Sequence, residues 1–142
     1  MFEVTHSDID TDALRAENAH DASGGFVCFE GWVRDHNDGR AVEGLHYECY
    51  EALAIDEGNK IIAEALERFG VRTARCQHRV GALAIGGIAV WVGAGGDHRD
   101  AAFKACRYII DEVKARVPIW KKELYQDGDT EWIDCRDDEA RV

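Results

Sequence analysis

The chain has 142 residues, 46% hydrophobic and 32% charged, which suits one globular domain spanning 1–142 and excludes a disordered polypeptide. Asp and Glu number 28 against 17 Lys and Arg, a net charge of −11, so a nucleic-acid partner is not expected, because binding phosphates needs a basic face. No apolar run reaches membrane-spanning length and the first residues lack the basic-then-apolar pattern of a signal peptide, so a cytoplasmic protein without a membrane partner is expected.

In chain order, Phe2 to Thr5 reads as a short strand, followed by a helix to about Asn18 capped by Asp8 or Asp10. After the turn at Ser23-Gly24-Gly25, Phe26 to Arg34 alternates as a strand. Asn37-Asp38-Gly39 carries turn chemistry, and Val42 to Tyr50 reads as the returning strand, antiparallel to the first. A helix is expected from about Leu53 to Phe69, with Ile55, Ile62, Leu66 and Phe69 as its apolar positions and Gly70 as its stop. Val71 to Gln77, Val80 to Ile85 and Ile88 to Ala94 read as strands, the last two joined by Gly86-Gly87.

The long helix that follows has Asp97 as its expected cap and Phe103, Cys106, Ile110, Val113 and Val117 as its buried stripe. Pro118, the only proline, must end it and push Val117 into an extended conformation. Trp120 to Tyr125 and Thr130 to Asp134 then form a final hairpin, and a charged tail (about 137–142, fraying from Arg136) closes the chain. Antiparallel strands mixed with two main helices make the fold class α+β. The five cysteines, at 28, 49, 76, 106 and 135, form no C-x-x-C pair and read as buried free thiols. Trp32, Trp91, Trp120 and Trp132 fall on strands and read as core or interface residues.

The chemistry concentrates around the proline. Lys114, Arg116, Lys121 and Lys122 gather four cations there on an acidic chain, which points to a bound anion. Lys114 should end the helix and Lys121 should sit on the strand beyond it, so the bend can bring two amines together. Crowding among Lys114, Arg116, Lys121 and Lys122 would disfavour the charged form of a lysine and suit it to proton transfer or attack. Other cations stand at element ends: Arg34 before the loop with His36, His98 and Arg99 in the first turn of the long helix, and Arg136 after the last strand. Three plainer readings stay open: Lys104, Arg107, Asp111 and Lys114 as a solvated helix stripe, Lys121-Lys122 as an exposed strand end, and His98 and Arg99 as ordinary first-turn residues. His36, His46 and His78 lack metal-ligand spacing, and His78-Arg79 reads as structural.

Several stretches in this order resemble the large, catalytic subunit of molybdopterin synthase. They are Phe29-Glu30-Gly31-Trp32-Val33-Arg34-Asp35-His36-Asn37, Leu45-His46-Tyr47-Glu48-Cys49-Tyr50, His78-Arg79-Val80-Gly81, Asp97-His98-Arg99, and Arg116-Val117-Pro118-Ile119-Trp120-Lys121-Lys122-Glu123. The resemblance implies a mixed, mainly antiparallel α/β-hammerhead-type fold. It also implies sulfur transfer to cyclic pyranopterin monophosphate, forming the dithiolene of molybdopterin. The sulfur donor it implies is a small ubiquitin-like subunit whose C-terminal Gly-Gly tail carries a thiocarboxylate. The implied assembly is a homodimer within a heterotetramer, without a resident metal or cofactor. The family's catalytic lysines fall on Lys114 and Lys121, and its substrate-binding residues on Phe29, Arg34, His98, Arg99 and Arg136. Gly86-Gly87 departs from the family's glycine followed by an acid, and the acidic surface is unusual. The alternative from another class is a non-catalytic module that holds a ubiquitin-like tail or an anionic metabolite.

Overall fold

A computed structural model describes residues 1–137. Its elements are β1 (Phe2–Thr5), α1 (Thr11–Glu17), β2 (Gly25–Trp32), β3 (His36–Asn37), β4 (Arg40–Cys49), α2 (Glu51–Phe69), β5 (Thr73–Arg79), β6 (Gly81–Ala84), β7 (Ile88–Gly96), α3 (Arg99–Arg116), β8 (Ile119–Tyr125) and β9 (Thr130–Asp134). A short 3₁₀ turn, Cys135–Asp137, follows; the remainder of the expected tail, 138–142, lies outside the described residues.

The strands form two sheets. One has the order β1-β5-β7-β2, with β1 parallel to β5 and the other pairs antiparallel. The other runs β3-β4-β8-β9, with β6 also paired to β4. The expected pairing of β2 with β4 does not occur. Asp38 and Gly39 both adopt positive φ, 50° and 75°, making a tight turn that folds β3 onto the start of β4 (Asn37 opposite Arg40). That hairpin carries β4 into the second sheet, where it pairs with β8.

Strand β7 is buried almost throughout, as a central strand covered on both faces must be. On one side α2 and α3 pack Ile61, Ile62, Ile109 and Val113 against Val92 and Cys76. On the other, Ile9 and Leu14 at α1 cover Trp91. Asp10 caps α1 by accepting from the Ala13 amide at 3.0 Å.

The apolar stripes of the long helices differ from those expected. In α2 the core face is Ala54, Gly58, Ile61, Ile62 and Ala65, while Ile55 and Leu66 lie at its exposed margin. These small residues let α2 approach closely: Gly58 lies so near the buried Phe2 ring that a Cβ would overlap it. In α3 the stripe is Ala102, Ala105, Cys106, Ile109, Ile110 and Val113, and Phe103 faces solvent. Asp97 does not cap α3: Arg72 binds it at 2.7 and 3.0 Å, and His98 stands at the cap without a side-chain bond. Gly70 ends α2 in the left-handed region at φ 64°, and α3 ends where Pro118 requires, with Val117 extended.

Of the tryptophans, Trp91 is core, while Trp32 and Trp132 are exposed. Of the cysteines, Cys76 and Cys106 are buried, Cys49 and Cys135 are half-buried, and Cys28 is exposed. The chain's described helices include none long and apolar enough to cross a membrane.

Candidate active site

The bend at Pro118 brings α3 and β8 to one cavity of about 380 Å³, a volume suited to a small metabolite or a peptide tail. Lys114 enters it from the last turn of α3 and Lys121 from β8. Phe29 comes from β2, and Arg34 from the segment that follows it. Apolar groups such as Val90, Ile110, Val117 and Ile119 form much of the remaining wall. Charged groups set in an apolar wall interact more strongly than they would in water.

Strand periodicity decides how the two neighbouring lysines differ. Ile119, Lys121, Glu123 and Tyr125 alternate onto the buried face of β8, while Lys122 turns to the other side, 5.1 Å from the Trp132 ring centroid. The Lys121 side chain is only 8% exposed, which rules out the reading of it as an exposed strand end. Its Nζ lies 3.4 Å from Oε1 of Glu123, itself buried. Glu123 is held in turn: Tyr125 donates its hydroxyl to Oε2 at 2.7 Å, and the Asn37 amide donates to the same oxygen. Glu123 also raises the Tyr125 phenol's pKa, after the larger effect of burial.

The four cations expected to crowd around the proline therefore separate: Lys114 and Lys121 line the cavity, and Arg116 and Lys122 do not. Arg116, two residues beyond Lys114, lies on another helix face and binds Glu57 at 2.8 Å and Glu64 at 2.6 and 3.0 Å on α2. Lys122 points away from the cavity, and the near neighbour of Lys121 is a carboxylate. The solvated stripe on α3 is confined to the pairs Lys104–Asp100 and Arg107–Asp111; Lys114 is part of the cavity wall instead.

The other expected binding residues stand apart from the cavity in this chain. His98 and Arg99 are exposed at the opposite end of α3, about 22 Å along the helix axis from Lys114 for the 15 residues separating Arg99 from it. Arg136 follows Cys135, which lines the cavity, but its guanidinium is engaged by Asp134 at 2.7–3.2 Å and lies 5.5 Å from the Trp120 ring centroid. That pairing holds the Asp134 carboxyl below, and the Arg136 guanidinium above, its ordinary pKa.

Two cavity residues escaped sequence reasoning. Glu123 was legible in principle, since a residue two positions from Lys121 on a strand shares its face. His78 lines the cavity from β5 and carried no spacing signal. Burial, together with the charge of Lys114, lowers its pKa to about 4, against the opposing bond to the Arg79 carbonyl. Among the described residues no group of three or more His, Cys, Asp and Glu could hold a metal ion.

Residues 4–116 match the profile of the MoaE protein family. The molybdopterin synthase catalytic subunit of Pyrococcus abyssi is 47% identical over 113 residues, covering 80% of this chain and 76% of its own. That of Thermoplasma volcanium is 38% identical over 131 residues, 92% of this chain and 95% of the relative. Among solved structures, molybdopterin synthase from Staphylococcus aureus superposes with a TM-score of 0.87 at 35% identity, covering 93% of this chain and 96% of that one. A complex of subunits 1 and 2 of the molybdopterin-converting factor from Helicobacter pylori contains a chain matching at TM-score 0.75 and 26% identity, covering 94% and 88%. The α+β fold, the ordered motifs and these matches agree: the chain belongs to the MoaE family, that of molybdopterin synthase catalytic subunits.

Proposed function

We infer that this chain catalyses sulfur transfer from the thiocarboxylated C-terminus of a small ubiquitin-like subunit to cyclic pyranopterin monophosphate, forming the dithiolene of molybdopterin. The observation that carries this reading is the meeting of Lys114 and Lys121, from different elements, in one apolar-walled cavity with Phe29 and Arg34. Both reactants are anions, and the cavity presents three cationic side chains on a chain of net charge −11. The solved Helicobacter pylori complex of two subunits supports a small-subunit partner.

In this reading Lys121 faces the reacting end of the tail, with its amine positioned by Glu123. Lys114 moves protons as the cyclic phosphate opens. Arg34 binds an anionic group through its planar fork, and Phe29 packs against the bound molecule. His98, Arg99 and Arg136 complete the anion site. Because His98 and Arg99 sit at the far end of α3, they reach a substrate at Lys114 only from a second copy of the chain. The active assembly is accordingly a homodimer flanked by two small subunits.

The test is a single-turnover mixture of this protein, thiocarboxylated small subunit and cyclic pyranopterin monophosphate, read as dithiolene product. Product that requires the thiocarboxylate is expected. A complex that forms and yields no product would overturn the reading in favour of a binding module. Mixing Lys114→Ala protein with His98→Ala protein tests the dimer: partial recovery of turnover places the two residues in different copies, and none places them in the same one.

A further inference from the structure

Asn37 reads in the sequence as part of the turn Asn37-Asp38-Gly39, yet its side chain is buried, at 2% exposure. The positive φ values of that turn belong to Asp38 and Gly39, so the backbone there does not account for an asparagine at 37. The amide is directed elsewhere. Its Nδ2 donates to Oε2 of Glu123 and, at 3.0 Å, to the Tyr125 hydroxyl oxygen. Tyr125 donates its own hydroxyl hydrogen to the same Oε2 at 2.7 Å. The three buried side chains close a triangle of hydrogen bonds across 86 residues of chain. Asn37 Oδ1, by contrast, is buried and accepts no hydrogen bond among the described residues. An oxygen left so costs stability that an apolar side chain of similar shape would not, and the donor end of the amide is what this position uses.

The triangle makes the two oxygens of Glu123 unequal. Oε2 takes the donors from Asn37 and Tyr125, while Oε1 stands 3.4 Å from the Lys121 amine. Lys121 and Glu123 line the cavity; Asn37 and Tyr125 lie behind its wall. Two donors on one oxygen fix the plane of a carboxyl group, and so the direction in which its other oxygen points. The arrangement is closed from the surface by Arg40, whose guanidinium lies 3.7 Å over the Tyr125 ring and pairs with Asp127 and Asp129. We propose that Asn37 is a positioning residue for Lys121: from outside the cavity it fixes the Glu123 carboxylate, whose other oxygen aims the Lys121 amine at the substrate. This deepens the reading of Lys121 as a catalytic amine and rests on it.

A double-mutant cycle separates positioning from packing. Asn37→Leu removes both donors, and the unpaired oxygen with them, at similar shape. Its single-turnover rate with saturating small subunit should fall about 10- to 100-fold, the worth of one hydrogen bond to a charged group, with small-subunit affinity unchanged. The deciding comparison is made in Glu123→Gln protein. If Asn37 acts through the Glu123 carboxylate, adding Asn37→Leu there should cost less than about threefold further. A loss as large as in the wild-type background would make Asn37 a packing residue and overturn the proposal. Tyr125→Phe, which removes one donor to the same oxygen and keeps the ring beneath Arg40, supplies an independent cycle should Asn37→Leu fail to fold. The same pattern is expected of it; equal loss in both backgrounds, or no loss in either, would overturn the proposal. Lys121→Ala is measured alongside: if it retains turnover, the catalytic reading of Lys121 fails. If Lys121→Ala is inactive and Asn37→Leu matches wild type, only the positioning role fails.

Discussion

Removing Lys121 should do two separable things, because the amine is both a reagent and the partner of a buried carboxylate. The Lys121 and Glu123 side chains are 8% and 6% exposed and 3.4 Å apart. At an effective dielectric constant of about 20 their attraction is about 5 kcal/mol before desolvation is counted. Deleting one member of such a pair costs about 3–5 kcal/mol, since the other charge stays buried and uncompensated. Glu123 keeps its bonds from Tyr125 and Asn37, which places Lys121→Ala near the lower end, about 3 kcal/mol, or about 10 °C in thermal midpoint for a chain of this size. Adding Glu123→Gln removes the orphaned charge while retaining an oxygen for the Tyr125 hydroxyl. The double variant should regain most of the stability and none of the turnover. Urea unfolding of the four proteins in the cycle measures the coupling. If Lys121→Ala unfolds with the wild type, or the double variant is no more stable than Lys121→Ala, the buried-pair argument is wrong.

Gly58→Ala should destabilise by about 1–3 kcal/mol in urea unfolding, despite the better helix former, because its methyl would overlap the buried Phe2 ring; a gain in stability would contradict that packing. Arg116 and Tyr108 hold the Glu64 carboxyl at about 2, below its ordinary 4.5. A lowered folded-state pKa means stability that is full above about pH 4.5 and lost as pH falls towards 2. Glu64→Gln should flatten that acid limb in a pH series of thermal midpoints, modestly, since the group is part-exposed. Thiol labelling of the native protein should modify exposed Cys28 first, whereas Cys76 and Cys106, whose thiol pKa values burial raises, should react only on unfolding; rapid native labelling of Cys76 would refute the core assignment.

Much of this architecture was legible in the sequence, because local physics dictates it. Pro118 fixes the end of α3, Gly70 the end of α2, and Asp10 the start of α1. The alternation of β8 separates Lys121 from Lys122. What was not legible depended on contacts distant in sequence. The antiparallel appearance of β2 and β4 gave no sign that a two-residue turn at Asp38-Gly39 would send β4 to another sheet. Phe103, Ile55 and Leu66 are large and apolar, yet alanines and a glycine face the core, since close helix approach rewards small residues there.

The site divides the same way. Lys114, Lys121, Phe29 and Arg34 converge in one cavity, while His98, Arg99 and Arg136 do not line it within one chain. Counting cations along the sequence suggested crowding around the lysines. In three dimensions Arg116 is committed to α2 and Lys122 to Trp132, and Lys121 lies beside the Glu123 carboxylate. Charge counted along a chain does not say which face each residue takes.

The most direct test of the central claim compares wild type, Lys114→Ala and Lys121→Ala in single turnover with thiocarboxylated small subunit and cyclic pyranopterin monophosphate, with small-subunit affinity measured in parallel. Loss of dithiolene product in both variants, with affinity within about tenfold of wild type (about 1.4 kcal/mol), is the predicted result. Turnover retained in either variant, or affinity lost in proportion to turnover, would contradict the assignment of these two lysines as the catalytic pair.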